Sequence, residues 1–246
     1  MSDRRLFASA LPEQGGLVAL SPDAARHARV LRLSIGDPVR LYDGDGREAA
    51  ARVVELDGDR MTCEAEPAHA TAPASGARVV LVQALPKGDK LDTIVRMGVE
   101  LGAAAFHLAD SERSIAKLDA RRAPARIARL SRIAREAARQ SGRTIVPEVH
   151  PPQALVEVCK KAPEHAQRVV LWERATVDLR DALAAPADEV WLVVGPEGGL
   201  SEAEVAALRA IGYRDARLSD AILRVETAAP VAVALALELI AARRIP

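Results

Sequence analysis

Up to about residue 70 the chain carries short apolar segments divided by Gly, Asp and Pro, as in LSIGDPVRLYDGDGREAARVVELDGDRMTCEAE. Val39 and Leu41 alternate with polar neighbours, and so do Ala51 and Val53 beyond an Asp-Gly-Asp-Gly stretch. A period of two on both sides of such a turn predicts a hairpin, and Asp57-Gly58-Asp59 predicts a second one. Several short strands of this kind predict a small barrel. The small, polar, proline-containing segment at 70–76 is the expected boundary, dividing residues 1–72 from 73–246.

Beyond it the rhythm changes. Apolar runs predict strands over 78–84, 104–108, 168–172, 190–194 and 213–218, and helical spacing predicts helices over 90–101, 119–140, 152–161, 201–211 and 228–243. Strands alternating with helices predict an α/β domain with a parallel sheet covered on both faces. Ligands of such sheets sit beyond the carboxyl ends of the strands, so the loops after Val194 and Leu218 are where chemistry is expected.

Two helices carry more than their period. In 119–140, Ala123, Ile127, Leu130, Ala134 and Ala137 form one apolar stripe, while arginines occupy much of the remaining surface. The last helix, AAPVAVALALELIAARR, is apolar nearly all round, which predicts burial in its own domain or against a second copy. A homodimer is the favoured expectation, with Val233, Leu235, Leu237 and Ile240 as the residues a monomer would leave exposed.

Composition narrows the class. With 246 residues, 49% of them hydrophobic, the chain can bury real cores. The apolar run from Ala228 to Leu237 is too short to span a bilayer and contains Pro230, and the N-terminus has no apolar signal segment. Cys63 and Cys159 stand apart, without metal-ligand spacing, so neither a disulfide framework nor a metal site is expected and a reducing cytoplasm is the natural compartment. The net charge of +0 conceals an asymmetry: between Ser111 and Arg143 there are ten basic side chains against three acidic ones. A basic patch on a neutral chain suits a polyanion met on one face. Aromatic residues, at 2%, are too few for a row of base-stacking rings.

The densest chemical signal is VWLVVGPEGGLSEAEV. A buried strand runs into Gly195-Pro196-Glu197-Gly198-Gly199, and Ser201 with Glu204 forms a capping box that opens a helix. The glycines let backbone approach a ligand closely; a tight strand-to-helix turn is the plainer explanation of the same pattern. The dinucleotide and phosphate-loop fingerprints are both missing. In ARLSDAILRVETAAPVAVALAL, Arg224 and Glu226 lie among apolar residues before a buried helix, so they either pair with each other or meet a charged ligand.

GPEGG followed by S-x-x-E, ILRVETA, ALPKGDKLDTIVRMGVELG, SERS at 111–114 and EAARQSGRTIVP at 136–147, together with N-terminal RRLF and HARVLRLSIGD, closely resemble the bacterial 16S ribosomal RNA (uracil-N3)-methyltransferases of the SPOUT superfamily. The resemblance runs along nearly the whole chain; Val225 stands where that family more often has Thr. It implies a PUA-like β-barrel followed by a trefoil-knotted α/β domain, acting as a dimer, whereas periodicity alone predicts an ordinary open sheet. It implies S-adenosylmethionine held by Leu171, Trp172, Glu173, Val194, Gly195, Pro196, Glu197, Gly198, Gly199, Leu218, Ser219, Ile222 and Leu223. The implied partner is 16S rRNA within the small subunit, with no metal and no membrane. Arg224 is expected to stabilise the uracil anion or to meet the adjacent phosphate, with Glu197 or Glu226 as proton acceptor, or else both glutamates structural. Arg4, Arg5, Arg32, Lys87, Arg113, Arg122, Arg126, Arg129 and Arg143 are the expected RNA contacts. A ribose 2′-O-methyltransferase and a non-catalytic rRNA-binding assembly factor are the rival readings.

Overall fold

The computed structural model describes residues 4–71, 76–114 and 123–243. The expected boundary at 72/73, the start of the arginine helix and Arg122 therefore lie outside the described residues. The chain forms two units, Met1–Ala74 with Arg135–Val146, and Ser75–Ala134 with Pro147–Pro246.

In the first unit, β1 (Arg5–Phe7), β3 (Pro38–Tyr42), β4 (Arg47–Asp57), β5 (Arg60–Ala65) and β2 (Gly16–Leu20) follow one another across a sheet, and β6 (His69–Ala70) pairs with β4. The β3–β4 hairpin sets Val39 opposite Ala51 and Leu41 opposite Ala49. The β4–β5 hairpin closes at Asp57 opposite Arg60. Val39, Leu41, Ala51 and Val53 are all buried, so the period-two reading picked out the core face. Between β2 and β3 lies a helix not foreseen from the pattern, α1 (Pro22–Val30); its start signals were present, since the Ser21 hydroxyl accepts from Ala24 N–H at 3.3 Å, Pro22 is at the first helical position and Asp23 is in the first turn.

The second unit is a six-stranded sheet in the order β12-β10-β11-β7-β8-β9. Its strands are β7 (Arg78–Ala84), β8 (Ala105–Asp110), β9 (Glu148–Ala154), β10 (Gln167–Leu171), β11 (Glu189–Val194) and β12 (Arg214–Ala216). All adjacent pairs are parallel. The helices are α2 (Lys90–Leu101), α4 (Leu155–Cys159), α5 (Leu179–Ala182), α6 (Glu202–Ala210) and α7 (Val225–Ala242), with α3 (Ala123–Ser141) belonging to this unit up to Ala134. The strand β7 and helix α2 have the bounds expected from sequence. The helix expected over 152–161 starts later and is shorter: residues 152–154 are the end of β9 (Glu148–Ala154), and α4 keeps the five residues Leu155–Cys159. Pro151 and Pro152 lack N–H donors, and an edge strand tolerates that loss where a helix interior does not.

Helix α7 is long and apolar enough to cross a membrane by length and composition, yet it packs on α2, β7 and β11. Val233 and Ile240, expected to be exposed in a monomer, are fully buried inside this unit. Leu235 and Val231 of α7 and Met97 and Leu101 of α2 are the large apolar side chains these helices leave exposed.

Candidate functional site

Three loops leave the carboxyl ends of β10, β11 and β12 and meet. Leu171–Glu173, Val194–Gly199 and, from the third loop, Leu218, Ser219, Ala221, Ile222 and Leu223 line one cavity of about 230 Å³, to which Arg217, Val225 and Ala228 also contribute. Every residue expected to hold the cofactor lies on its wall. The strand order explains the convergence. Strand β10 lies between β11 and β12, so the three loops are neighbours though far apart in sequence. The Trp172 N–H donates to Ala216 O at 2.9 Å, joining the first loop to the end of β12.

The central loop is a tight turn in which Gly199 N–H donates to Pro196 O at 2.9 Å. Gly199 adopts φ +67°, a conformation that favours glycine. Gly195 is restricted by space instead: a Cβ there would lie 3.1 Å from the carbonyl carbon of Gly199 and 3.2 Å from Leu200 N. At the end of β7, fully buried Gln83 donates its amide to Ala84 O at 2.8 Å, with longer contacts to Val194 O and Gly195 O at 3.4 and 3.3 Å. The helix after the loop opens as its sequence predicts, with both bonds of the Ser201–Glu204 capping box in place.

Charges at the mouth are arranged around a lysine that sequence reading missed. Lys90 Nζ lies 2.9 Å from Glu197 and 3.5 Å from Glu226, so one ammonium bridges the glycine loop and the first turn of α7. Glu197 also accepts Lys87 N–H at 3.1 Å. Burial alone would raise the Glu197 carboxyl, but the Lys90 ammonium and the backbone N–H outweigh it and hold it below the usual carboxylate range. The bond to Glu197 in turn holds Lys90 above its ordinary value. Glu226 therefore pairs with Lys90, not with Arg224. Arg224 caps α7, is exposed, and forms no ion pair or side-chain hydrogen bond among the described residues. No local pattern marks Lys90; its partners are more than a hundred residues away.

The expected RNA contacts fall in two groups. In the first unit, Arg4 pairs with Asp37 at 3.1 Å, Arg32 is exposed, and burial lowers the pKa of half-buried Arg143. Arg5 is a correction: it is buried, pairs with Glu48 at 3.3 Å and lies over the Tyr42 ring, so its charge serves the sheet and not a phosphate. In the second unit, Lys87, Arg126 and Arg129 gather near the start of α2. Arg126 donates to Gly88 O at 3.0 Å, and Arg129 pairs with Asp92 and lies 3.9 Å from Asp89. The acids missing from the arginine helix are supplied by a neighbouring one. Arg113 donates to Gly198 O. No group of side chains suited to a metal ion occurs among the described residues.

A larger cavity, about 970 Å³, opens on the first unit beside Arg4, Arg40 and Arg52. Size alone would favour it. The smaller cavity is the better candidate for chemistry, because it sits at the strand ends where an α/β sheet places its ligands and its walls combine apolar side chains and glycine backbone with Glu173, Glu197 and Arg217.

A cavity of this kind at the ends of a parallel sheet, in a chain that also carries a small sheet unit of its own, defines a class that comparison identifies. Residues 73–237 match the family model of the RNA methyltransferase domain, and residues 20–66 match that of the RNA methyltransferase PUA domain. Ribosomal RNA small subunit methyltransferase E of Mycobacterium bovis is 34% identical over 232 residues, covering 92% of this chain and 88% of the relative. The crystal structure of a ribosomal RNA small subunit methyltransferase E from Neisseria gonorrhoeae bound to S-adenosyl methionine superposes with a TM-score of 0.87 at 31% identity, covering 95% of this chain and 96% of that one. A putative methyltransferase from Legionella pneumophila, in complex with the same cofactor, gives 0.83 at 26% identity, covering 96% and 97%. The chain belongs to the ribosomal RNA small subunit methyltransferase E family.

Proposed function

We propose that this chain transfers the methyl group of S-adenosylmethionine to N3 of a uridine in 16S rRNA of the small ribosomal subunit. The observation that carries the reading is the convergence of the three strand-end loops on one cavity. Its residues fit the cofactor. Leu218, Ile222 and Leu223 offer apolar surface for a base, the 195–199 backbone offers donors and acceptors, and the glycines keep that backbone free of side chains at the wall. When bound, the cofactor supplies an electrophilic methyl on a sulfonium.

The uracil imide is a poor nucleophile while N3 keeps its proton. The protein must favour loss of that proton and stabilise the charge left on the uracil oxygens. Arg224 is the residue assigned to this charge, since its guanidinium keeps its own charge and pairs with no acid among the described residues. Glu197 and Glu226 are assigned to holding the loop and α7 through Lys90, and Glu197, kept acidic by its donors, is a weak proton acceptor. With the N3 proton lost to solvent, the nitrogen would take the methyl carbon as that carbon's bond to the sulfonium sulfur breaks, the sulfur leaving as a neutral thioether.

The trefoil knot, the closure of the first unit into a PUA-like barrel and the division near residue 72 belong to the same proposal. Family membership supports them, as does the need to bring three separate loops onto one ligand. Dimerisation is supported by the exposed apolar residues of α2 and α7, and placement in the cytoplasm by the ribosomal substrate. Lys87, Arg126 and Arg129 are proposed to meet rRNA phosphates at the start of α2, with Arg4 and Arg32 as contacts from the first unit.

Incubation of small subunits with the chain and labelled S-adenosylmethionine, followed by nucleoside mass spectrometry, tests the reading. Labelled 3-methyluridine is expected. Label in a 2′-O-methylated nucleoside would overturn the base assignment, and absence of transfer would favour a binding factor.

A further inference from the structure

The turn that follows β8 is fastened to the glycine loop. Ser111 and Ser114, both buried, share a hydrogen bond between their hydroxyls at 2.8 Å, and Ser114 N–H donates to Ser111 O at 3.1 Å. Glu204, also buried, divides its carboxylate: one oxygen accepts Ser201 N–H at 2.8 Å in the capping box, and the other accepts Glu112 N–H at 2.8 Å. The turn is thus tied to the start of α6. From this base Arg113 reaches the loop, where its Nη1 donates to Gly198 O at 2.9 Å. Its stem lies against Gly198, whose added Cβ would sit 3.4 Å from Arg113 Cβ.

We propose that Arg113 is a positioning residue for the cofactor loop, acting by holding the Gly198 carbonyl. The proposal rests on the reading of the cavity as the S-adenosylmethionine site. The peptide joining Gly198 to Gly199 is held at both ends, its carbonyl by Arg113 and its N–H by Pro196 O at 2.9 Å. Glycine backbone has a wide conformational range, so releasing one end lets the wall sample shapes that binding must then remove. A charge-assisted donor on a carbonyl is among the stronger hydrogen bonds, and its loss should reach the ligand as weaker affinity. The role explains why this arginine is directed at the loop.

The test compares the full-length wild-type chain with Arg113→Ala and with Arg113→Gln, which keeps part of the stem. S-adenosylmethionine affinity is measured by calorimetry, subunit binding is measured across a salt series, and melting without cofactor controls for folding. Arg113→Ala is expected to weaken cofactor binding about tenfold, to raise KM for the cofactor more than it lowers kcat, and to leave both melting temperature and salt slope as in the wild type. Arg113→Gln is expected to recover part of the affinity. Unchanged cofactor affinity with a flatter salt slope would overturn the proposal and make Arg113 a phosphate contact. Unchanged affinity with an unchanged slope would overturn it as well. Failure of the wild type itself to bind cofactor would refute the site reading and this proposal with it, which separates the two failures.

Discussion

Replacing Gly195 by Ala tests whether the central loop is constrained by its own packing. The added Cβ would lie 3.1 Å from the Gly199 carbonyl carbon and 3.2 Å from both Leu200 N and Leu200 Cγ. Two of these three atoms are backbone, so relief requires the turn itself to move. Overpacking of this kind costs about 1–3 kcal/mol. Because Gly195 and Gly199 line the cavity, that strain should appear as about tenfold weaker S-adenosylmethionine binding, at roughly 1.4 kcal/mol per tenfold. Gly212→Ala is the control. Gly212 has φ +91° and lies away from the cavity, where an added Cβ would meet only the end of the Arg168 side chain at 3.3 Å. It should cost about 1–2 kcal/mol through backbone strain and lower the melting temperature by several degrees without changing cofactor affinity. Calorimetry and thermal melts of both variants decide the matter. If Gly195→Ala binds within twofold of the wild type and melts with it, the loop is not packed as described and the argument fails.

Acid should weaken the second unit through His107. Burial, then stacked His150 at 4.0 Å and the charge of Lys161, lower its pKa to about 4, while Trp191 stacks on it at 4.9 Å and Glu148 and Glu189 bond the neighbouring rings. A lowered histidine contributes stability above its unfolded value of 6.5 and loses it as pH falls toward 4; on the order of 3 kcal/mol should go, and urea unfolding of His107→Phe over that range should show a shallower slope than the wild type. Arg224→Ala should lower methyl transfer at saturating subunit about a hundredfold or more while subunit binding changes little, and a loss confined to binding would contradict its assigned role. Leu235→Glu should shift the chain from two copies to one in sedimentation, and a wild type that is monomeric at micromolar concentration would refute the interface.

What could be read from sequence followed from local physics. The period-two residues of β3 and β4 give away their buried face because a strand shows alternate side chains to each side. The capping box at Ser201 and Glu204 is visible because both partners lie within one turn. The helix α1 had equally good start signals but sits inside a strand-rich stretch, where the surrounding pattern outweighed them. Strand β9 was missed because its prolines speak against ladder pairing, and only its place at the sheet edge removes that objection. The charge arrangement was the least legible part. Lys90 meets Glu197 and Glu226 across more than a hundred residues, and Asp89 and Asp92 meet Arg129 from a different helix. Arg5 looked like the other N-terminal basic residues until the sheet enclosed it beside Glu48. The glycines of the loop were visible, but the reasons for two of them differ: conformation for Gly199, space for Gly195.

The central claim is that the cofactor lies among the three strand-end loops and not in the larger cavity of the first unit. A crystal structure of the chain grown with S-adenosylmethionine tests it most directly. Ligand density enclosed by residues 171–173, 194–199 and 218–223 is the expected result. Density beside Arg4, Arg40 and Arg52, with the three loops empty, would contradict the account.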